Sequence, residues 1–184
     1  MKFILPHTIK NHLGEELIFH RIEMENGEEK VIIENYVAPH SRPIMHIHYM
    51  QDEALTVLHG KMAYQIGDTP IEYIGVGETA HFKRGTAYRF WNAGEDELNC
   101  FGWIRPVNNI IFYLTALYNA MNESGSEKPS QFDGAYLLYR YRKEHDMPEL
   151  PRFVKSFVIP ATYTIGKLTG RYKKFTDAPP PVTT

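Results

Sequence analysis

The stretch HSRPIMHIHYMQDEALTVLHG, residues 40–60, decides how the chain folds. His46 and His48 stand two apart, and on a β-strand residues i and i+2 point to the same face. Four residues separate His48 from Glu53, and Leu55 and Val57 continue the alternation on the Glu53 face. Two parallel strands' worth of residues can therefore aim two imidazoles and one carboxylate into one interior. That donor set suits iron, manganese, nickel or zinc. Gly60 closes the stretch.

Written as H-x-H-x4-E-x6-G, the stretch resembles the first motif of the cupin family. The family's second motif ordinarily reads G-x5-P-x-G-x2-H-x3-N. Here Gly77, Gly85 and Asn92 match it, Lys83 takes the proline position and Tyr88 the histidine position. His40 stands where the first motif usually has glycine. The resemblance covers residues 40–92 and implies an all-β jelly-roll barrel, which leaves few open edges. It further implies a small organic molecule bound inside the barrel, beside a divalent metal ion (Mn, Fe, Ni or Zn) held by His46, His48 and Glu53. The chemistry it suggests is that of an oxygenase or isomerase, with Glu53 as ligand or base and Tyr88 as proton donor. A competing reading is a non-enzymatic ligand-binding or sensor module with a degenerate metal site and an interaction surface on its C-terminal helices. Fold alone does not choose between them.

Tyr88 itself reads in two ways. As a metal ligand it must ionise from a pKa near ~10, which Fe(III) favours. As a non-ligand it donates a hydrogen bond to substrate or water, and the phenol's longer reach favours this second role. Tyr64, Phe90 and Trp103 are the aromatic residues expected to line the pocket, since such sites are mostly apolar. His59 is expected to face away from Glu53, and His81 to alternate away from the inward pair Ala80 and Phe82. His40 is expected at the barrel rim. Cys100 reads as a small buried hydrophobe.

Outside the motifs, residues 1–105 read as short strands broken by turns, the pattern of a barrel or sandwich. Asn26-Gly27 predicts a tight hairpin between a strand over 16–25 and one over 30–38. Further strands are predicted over 53–58, 61–66, 71–74, 79–82, 87–92 and 98–104. After Pro106 the texture changes, and a C-terminal α-helical extension is expected over 106–176. Its first helix spans 108–122, with Ile110, Leu114, Leu117 and Met121 at helical spacing. A second spans 131–145. A third, over 152–174, is expected to kink or restart at Pro160. Residues 177–184, DAPPPVTT, read as a flexible tail.

The chain has 184 residues, a net charge of −2 and a single cysteine, so it reads as one domain with an appendage and no internal disulfide. Nothing in that charge or in the helical patterns suggests nucleic acid. The run before Pro6 is too short for a signal peptide. The uncharged run 156–166 falls well short of the ~20 residues a bilayer span needs. The expected location is the cytoplasm. Between Pro151 and Thr176 lie six basic residues and no acidic one. A solvated helix face explains them most simply; peripheral membrane contact is the lesser reading. A homodimer is the expected assembly, with the extension packed on the barrel or on the second subunit.

Overall fold

In the computed structural model, which describes residues 3–39, 41 and 44–182, Asn26 and Gly27 have φ of 53° and 82°. Positive φ at both positions is what a type I′ turn demands. The turn joins β2 (Glu15–Glu25) to β3 (Glu28–Val37) in an antiparallel hairpin. Before it runs β1 (His7–Lys10), which the sequence reading did not anticipate. After it come β4 (His46–His48), β5 (Asp52–His59), β6 (Met62–Ile66), β7 (Glu72–Ile74), β8 (Thr79–Phe82), β9 (Ala87–Asn92) and β10 (Leu98–Arg105). A last short strand, β11 (His145–Asp146), belongs to the far end of the chain.

The strands form two sheets, in the orders β1-β2-β3-β10-β5-β8 and β11-β4-β9-β6-β7. Side chains of both meet in one core, Phe19, Ile33 and Leu55 from the first and Met62 and Tyr88 from the second. This is the all-β jelly-roll barrel that the sequence implies. One expectation is corrected. The strands carrying His46/His48 and Glu53 are not side by side and parallel, since β4 and β5 lie in different sheets and their pairings are antiparallel. The two donor sets face one another across the interior. Gly60 ends β5 at φ 83°, and a Cβ there would come within 3.1 Å of the Glu97 carbonyl oxygen. The motif's last glycine is thus fixed both by backbone conformation and by space.

The helical extension holds α1 (Ile110–Ser124), α2 (Gln131–Arg140) and α3 (Ile159–Leu168). Ile110, Ile111 and Tyr118 of α1 belong to the barrel's own core. Its other side, Phe112, Tyr113 and Ala116, packs with Tyr136, Leu137 and Phe175 in a second cluster. This helix is therefore buried on most of its circumference, and its propensity matters less than its packing. Ser130 caps α2, its hydroxyl accepting from the Asp133 N–H at 3.2 Å. That helix stops short of the expected 145 because the chain turns at Tyr141 and hands residues 145–146 to the sheet.

Pro160 does not break the third helix. Residues Val154–Val158 form a π-helical turn that runs straight into α3, with the Ile159 N–H bonded to the Val154 carbonyl. Pro160 lies in the first turn of α3, where its missing N–H is tolerated. On this helix Phe153, Phe157 and Leu168 stay 66%, 65% and 82% exposed, so this is not the face that docks. No described helix is long and apolar enough to cross a membrane.

Residues 178–182 are extended and hydrogen-bonded to the helical extension. The Pro179 carbonyl accepts from the Tyr141 hydroxyl at 2.8 Å, and the Val182 N–H donates to Glu144 Oε1 at 2.9 Å. Glu144 is fully buried, and Val182 and Asn109 supply the partners of its Oε1.

Candidate functional site

β4 brings His46 and His48 to the wall of one interior cavity of about 240 Å³, and β5 brings Glu53 to the same cavity from the opposite sheet. His46 pairs with Tyr88 of β9 in the antiparallel register, and Glu53 pairs with Phe82 of β8. Arg84 holds the start of β5 in place. Its backbone N–H donates to Asp52 Oδ1 at 2.8 Å and its guanidinium to Oδ2 at 2.7 Å. These bonds keep the Asp52 carboxyl below its ordinary range and fix the residue beside Glu53.

Glu53 is buried, and the Tyr88 hydroxyl donates to its Oε2. Burial pushes the Glu53 carboxyl up to about 7; the bond from Tyr88 pulls it partly back. Burial and the neighbouring carboxyl push the Tyr88 phenol well above its usual value. Tyr88 stacks on Phe82 with ring centroids 4.1 Å apart, so it is clamped behind Glu53 and is not part of the cavity wall. Removing the hydroxyl in Tyr88→Phe leaves a buried carboxyl oxygen without its donor, an expected loss of about 1–3 kcal/mol. Because the bond lowers the Glu53 pKa, the variant should titrate Glu53 at higher pH. Chemical denaturation and the infrared carboxyl band measure both; unchanged values would show that the bond has no energetic weight.

His46 Nδ1 lies 3.0 Å from the Ile44 carbonyl. A carbonyl only accepts, so Nδ1 carries the proton and Nε2 keeps the lone pair. Among the described residues His48 Nδ1 has no hydrogen-bond partner, and it lies 4.0 Å from Glu53 Oε2. Burial holds both imidazoles below their ordinary pKa, His48 the further because His46 and His145 stand beside it.

The donor types suit a divalent cation, but their placement does not. A shared ion needs three lone pairs meeting about 2.0–2.2 Å from one point. Glu53 Oε2, the oxygen facing His48, already accepts from Tyr88. Among the described residues no three His, Cys, Asp or Glu side chains are grouped so as to hold an ion.

Of the aromatic residues expected to line the pocket, Phe90 does so. Tyr64 instead turns its hydroxyl to Glu72 at 2.6 Å, and Trp103, on the other face of β10 from Ile104, packs under the Arg105 guanidinium. Strand alternation gives the reason for Trp103, since Ile104 takes the inward position. His81 is exposed beside buried Ala80 and Phe82, as expected. His59 shares the parity of Glu53 but is exposed, because it lies beyond a register shift in the β5–β10 pairing. His40 lies outside the described residues. Cys100 is buried, and its thiol is pushed up to about 12. Asn92, the last motif residue, is structural: its amide donates to the Val37 and Asp96 carbonyls at 2.8 and 2.7 Å.

The sequence reading missed two contributors. Leu114, Leu117 and Met121 of α1 form one wall of the cavity, so the helical extension closes the barrel. His145 of β11 also lines it, at 4% exposure. The helical spacing of the α1 residues was visible; which face met a void was not.

Residues 35–103 match the sequence model of a family described as Cupin domain. No curated protein matches the chain. Among solved structures the chain is similar to an uncharacterized conserved protein with a double-stranded β-helix domain from Klebsiella pneumoniae, at 21% identity and TM-score 0.42, over 50% of this chain and 78% of that one. A putative sugar phosphate isomerase from Acidithiobacillus ferrooxidans aligns at 21% identity and TM-score 0.39, over 45% and 54%. AerE from Microcystis aeruginosa aligns at 18% identity and TM-score 0.48, over 56% and 46%. The chain thus spans about half the length of these last two.

Proposed function

Residues 35–103 match the cupin family model, and from that premise we propose that the barrel's cavity binds a small organic molecule and that the Glu53–Tyr88 pair exchanges a proton with it. One observation carries the reading. A carboxyl that burial pushes up to about 7 sits on the wall of a largely apolar cavity, backed by a phenol that donates to it. General acid–base catalysis is most effective when the catalytic pKa lies near the working pH. Glu53 is the group that gives or takes the proton. Tyr88, clamped from behind, positions the carboxyl and stabilises its ionised form. The apolar walls exclude water and hold the body of the substrate. Proton transfer of this kind is isomerase-type chemistry.

A second reading has its own observation. The lone His48 Nδ1, 4.0 Å from Glu53 Oε2, is where a divalent cation would draw these donors together. Bound there, such an ion would supply Lewis acidity toward a substrate oxygen. A non-enzymatic binding module is the third outcome.

The test screens neutral carbonyl and hydroxyl compounds by thermal shift, with Leu117→Trp as a variant whose cavity is filled. A compound at a hundred times its Kd should stabilise by about 2.7 kcal/mol, a rise of about 5–10 °C in Tm. Leu117→Trp should abolish the shift. Equal shifts in both proteins would place binding elsewhere and sink the proposal. Deuterium uptake from solvent into a bound compound, lost in Glu53→Gln, marks proton exchange; binding without uptake identifies a binding module. Elemental analysis decides the metal reading. One equivalent of Mn, Fe, Ni or Zn in wild type, lost in His48→Ala, supports it.

A further inference from the structure

We propose that His145, supplied by the helical extension, contacts the bound molecule and, with His48, selects an uncharged ligand that carries a hydroxyl or carbonyl group on an apolar body. The inference rests on the cavity being a binding chamber and adds to it a segment beyond the matched residues 35–103.

The chain places His145 deliberately. β11 adds to the edge of the second sheet with His145 opposite His48 and Asp146 opposite Ile47. The Tyr49 N–H donates to the Glu144 carbonyl at 2.8 Å and continues the pairing. The imidazole stacks on Tyr113 of α1 at 3.9 Å and meets the edge of His48 at 5.1 Å. It is therefore held between the sheet and the helix that closes the barrel.

Among the described residues neither ring nitrogen of His145 has a hydrogen-bond partner, and His48 Nδ1 and Asn35 Oδ1 have none either. All three residues line the one cavity. Buried polar atoms are almost always paired in folded proteins, and leaving one unpaired is costly. A phenylalanine would stack on Tyr113 without that cost. Packing alone therefore does not account for an imidazole here, whereas a ligand that satisfies its nitrogens does.

The chemistry of the lining narrows the ligand. A neutral imidazole offers one donor and one acceptor, the complement of a hydroxyl or a carbonyl. Among the described residues the carboxyl-bearing side chains Glu15, Glu53, Glu127 and Asp146 line the cavity against one lysine, Lys128, Asp146 being itself paired with Lys155 at 2.7 Å. An anion would meet repulsion. The remaining walls, among them Leu17, Ile33, Leu114 and Leu117, accept hydrocarbon. At about 240 Å³ the cavity is smaller than drug-sized sites, so the ligand is small.

Three probes that share one body test this: 2-naphthol, 2-naphthoate and naphthalene, titrated by fluorescence into the full chain. Wild type should bind 2-naphthol at least about tenfold more tightly than 2-naphthoate. His145→Leu should weaken 2-naphthol about five- to tenfold, the loss expected for one hydrogen bond. It should leave naphthalene unchanged. His145→Gln, which keeps a donor and an acceptor, should recover most of the loss. This rescue guards against a variant that is merely misfolded. If 2-naphthol and naphthalene bind wild type and His145→Leu alike, His145 is not a contact residue, while the cavity reading stands. Tighter binding of 2-naphthoate overturns the assignment of an uncharged ligand. If no probe binds and Leu117→Trp changes nothing, the cavity reading itself falls, and this inference with it.

Discussion

A chain ended after Arg105 is expected to give no soluble, cooperatively melting barrel. The strands all precede that point except β11, so a self-sufficient domain would tolerate the cut. The core does not stop there, however. Val107, Ile110, Ile111 and Tyr118 belong to the same buried cluster as Phe19, Leu55 and Met62. Each side chain fully buried contributes ~1.5–3 kcal/mol. Four of them sum to roughly 6–12 kcal/mol, which is comparable to the whole stability of a typical domain. The cut also strips Leu114, Leu117 and Met121 from the cavity wall and opens the barrel interior to water. The exposed apolar patch should drive aggregation. Solubility, light scattering and thermal melting check this. The single substitution Ile110→Ala, at a fully buried position, should cost about 2–5 kcal/mol. A truncated chain that stays monomeric and melts as before would show that the extension is an accessory.

Glu53→Gln is expected to stabilise the protein above neutral pH. Burial raises the Glu53 carboxyl to about 7 from an ordinary 4.5. Between those values the folded chain keeps a proton that the unfolded chain has released. Stability therefore falls as pH rises through that window, and the loss is complete above the folded pKa. The whole effect is about 3 kcal/mol. Glutamine cannot ionise, and its carbonyl still accepts from Tyr88. The variant should match wild type near pH 4 and exceed it by about 3 kcal/mol at pH 8. His46, His48 and His145 act with the opposite sign, because burial lowers their pKa values, that of His145 to about 3. Their contribution is present above the unfolded histidine value and is lost as pH falls below it. It is common to both proteins and cancels in the difference between them. Denaturant unfolding of both proteins across pH 4–8 measures that difference. A variant less stable than wild type at pH 8 would mean that Glu53 is ionised and held by a cation, which favours the metal reading over proton exchange.

Spacing along the chain determined what depends on near neighbours. The alternation through His46, His48 and Glu53 is a property of extended backbone, and all three reach one cavity. The Asn26-Gly27 turn was readable because positive φ at two successive positions suits few residue pairs. The strands Thr79–Phe82 and Ala87–Asn92 fall where alternation and turn residues put them. The position of Tyr88 beside this site was likewise legible, since it takes the histidine position of the second motif, and the structure pairs it with His46.

What tertiary structure decided lies in pairings between distant segments. Whether Tyr88 met a metal, a substrate or Glu53 depended on a bond between residues 35 positions apart. That Trp103 turns out of the interior follows from which side of β10 met the other sheet, and Tyr64 reaches Glu72 because strand pairing sets the two opposite each other. β11 is two residues long and has no periodicity of its own; only the free edge of β4 makes it a strand. The same pairing buries His145 against His48, an association that no local pattern encodes. Buried Glu144 and Tyr141 needed partners and found them in the tail. Local preferences set the strands and the inward positions of the motif. Long-range packing set what those residues face, because a buried polar group takes its partner from whichever segment the fold brings to it.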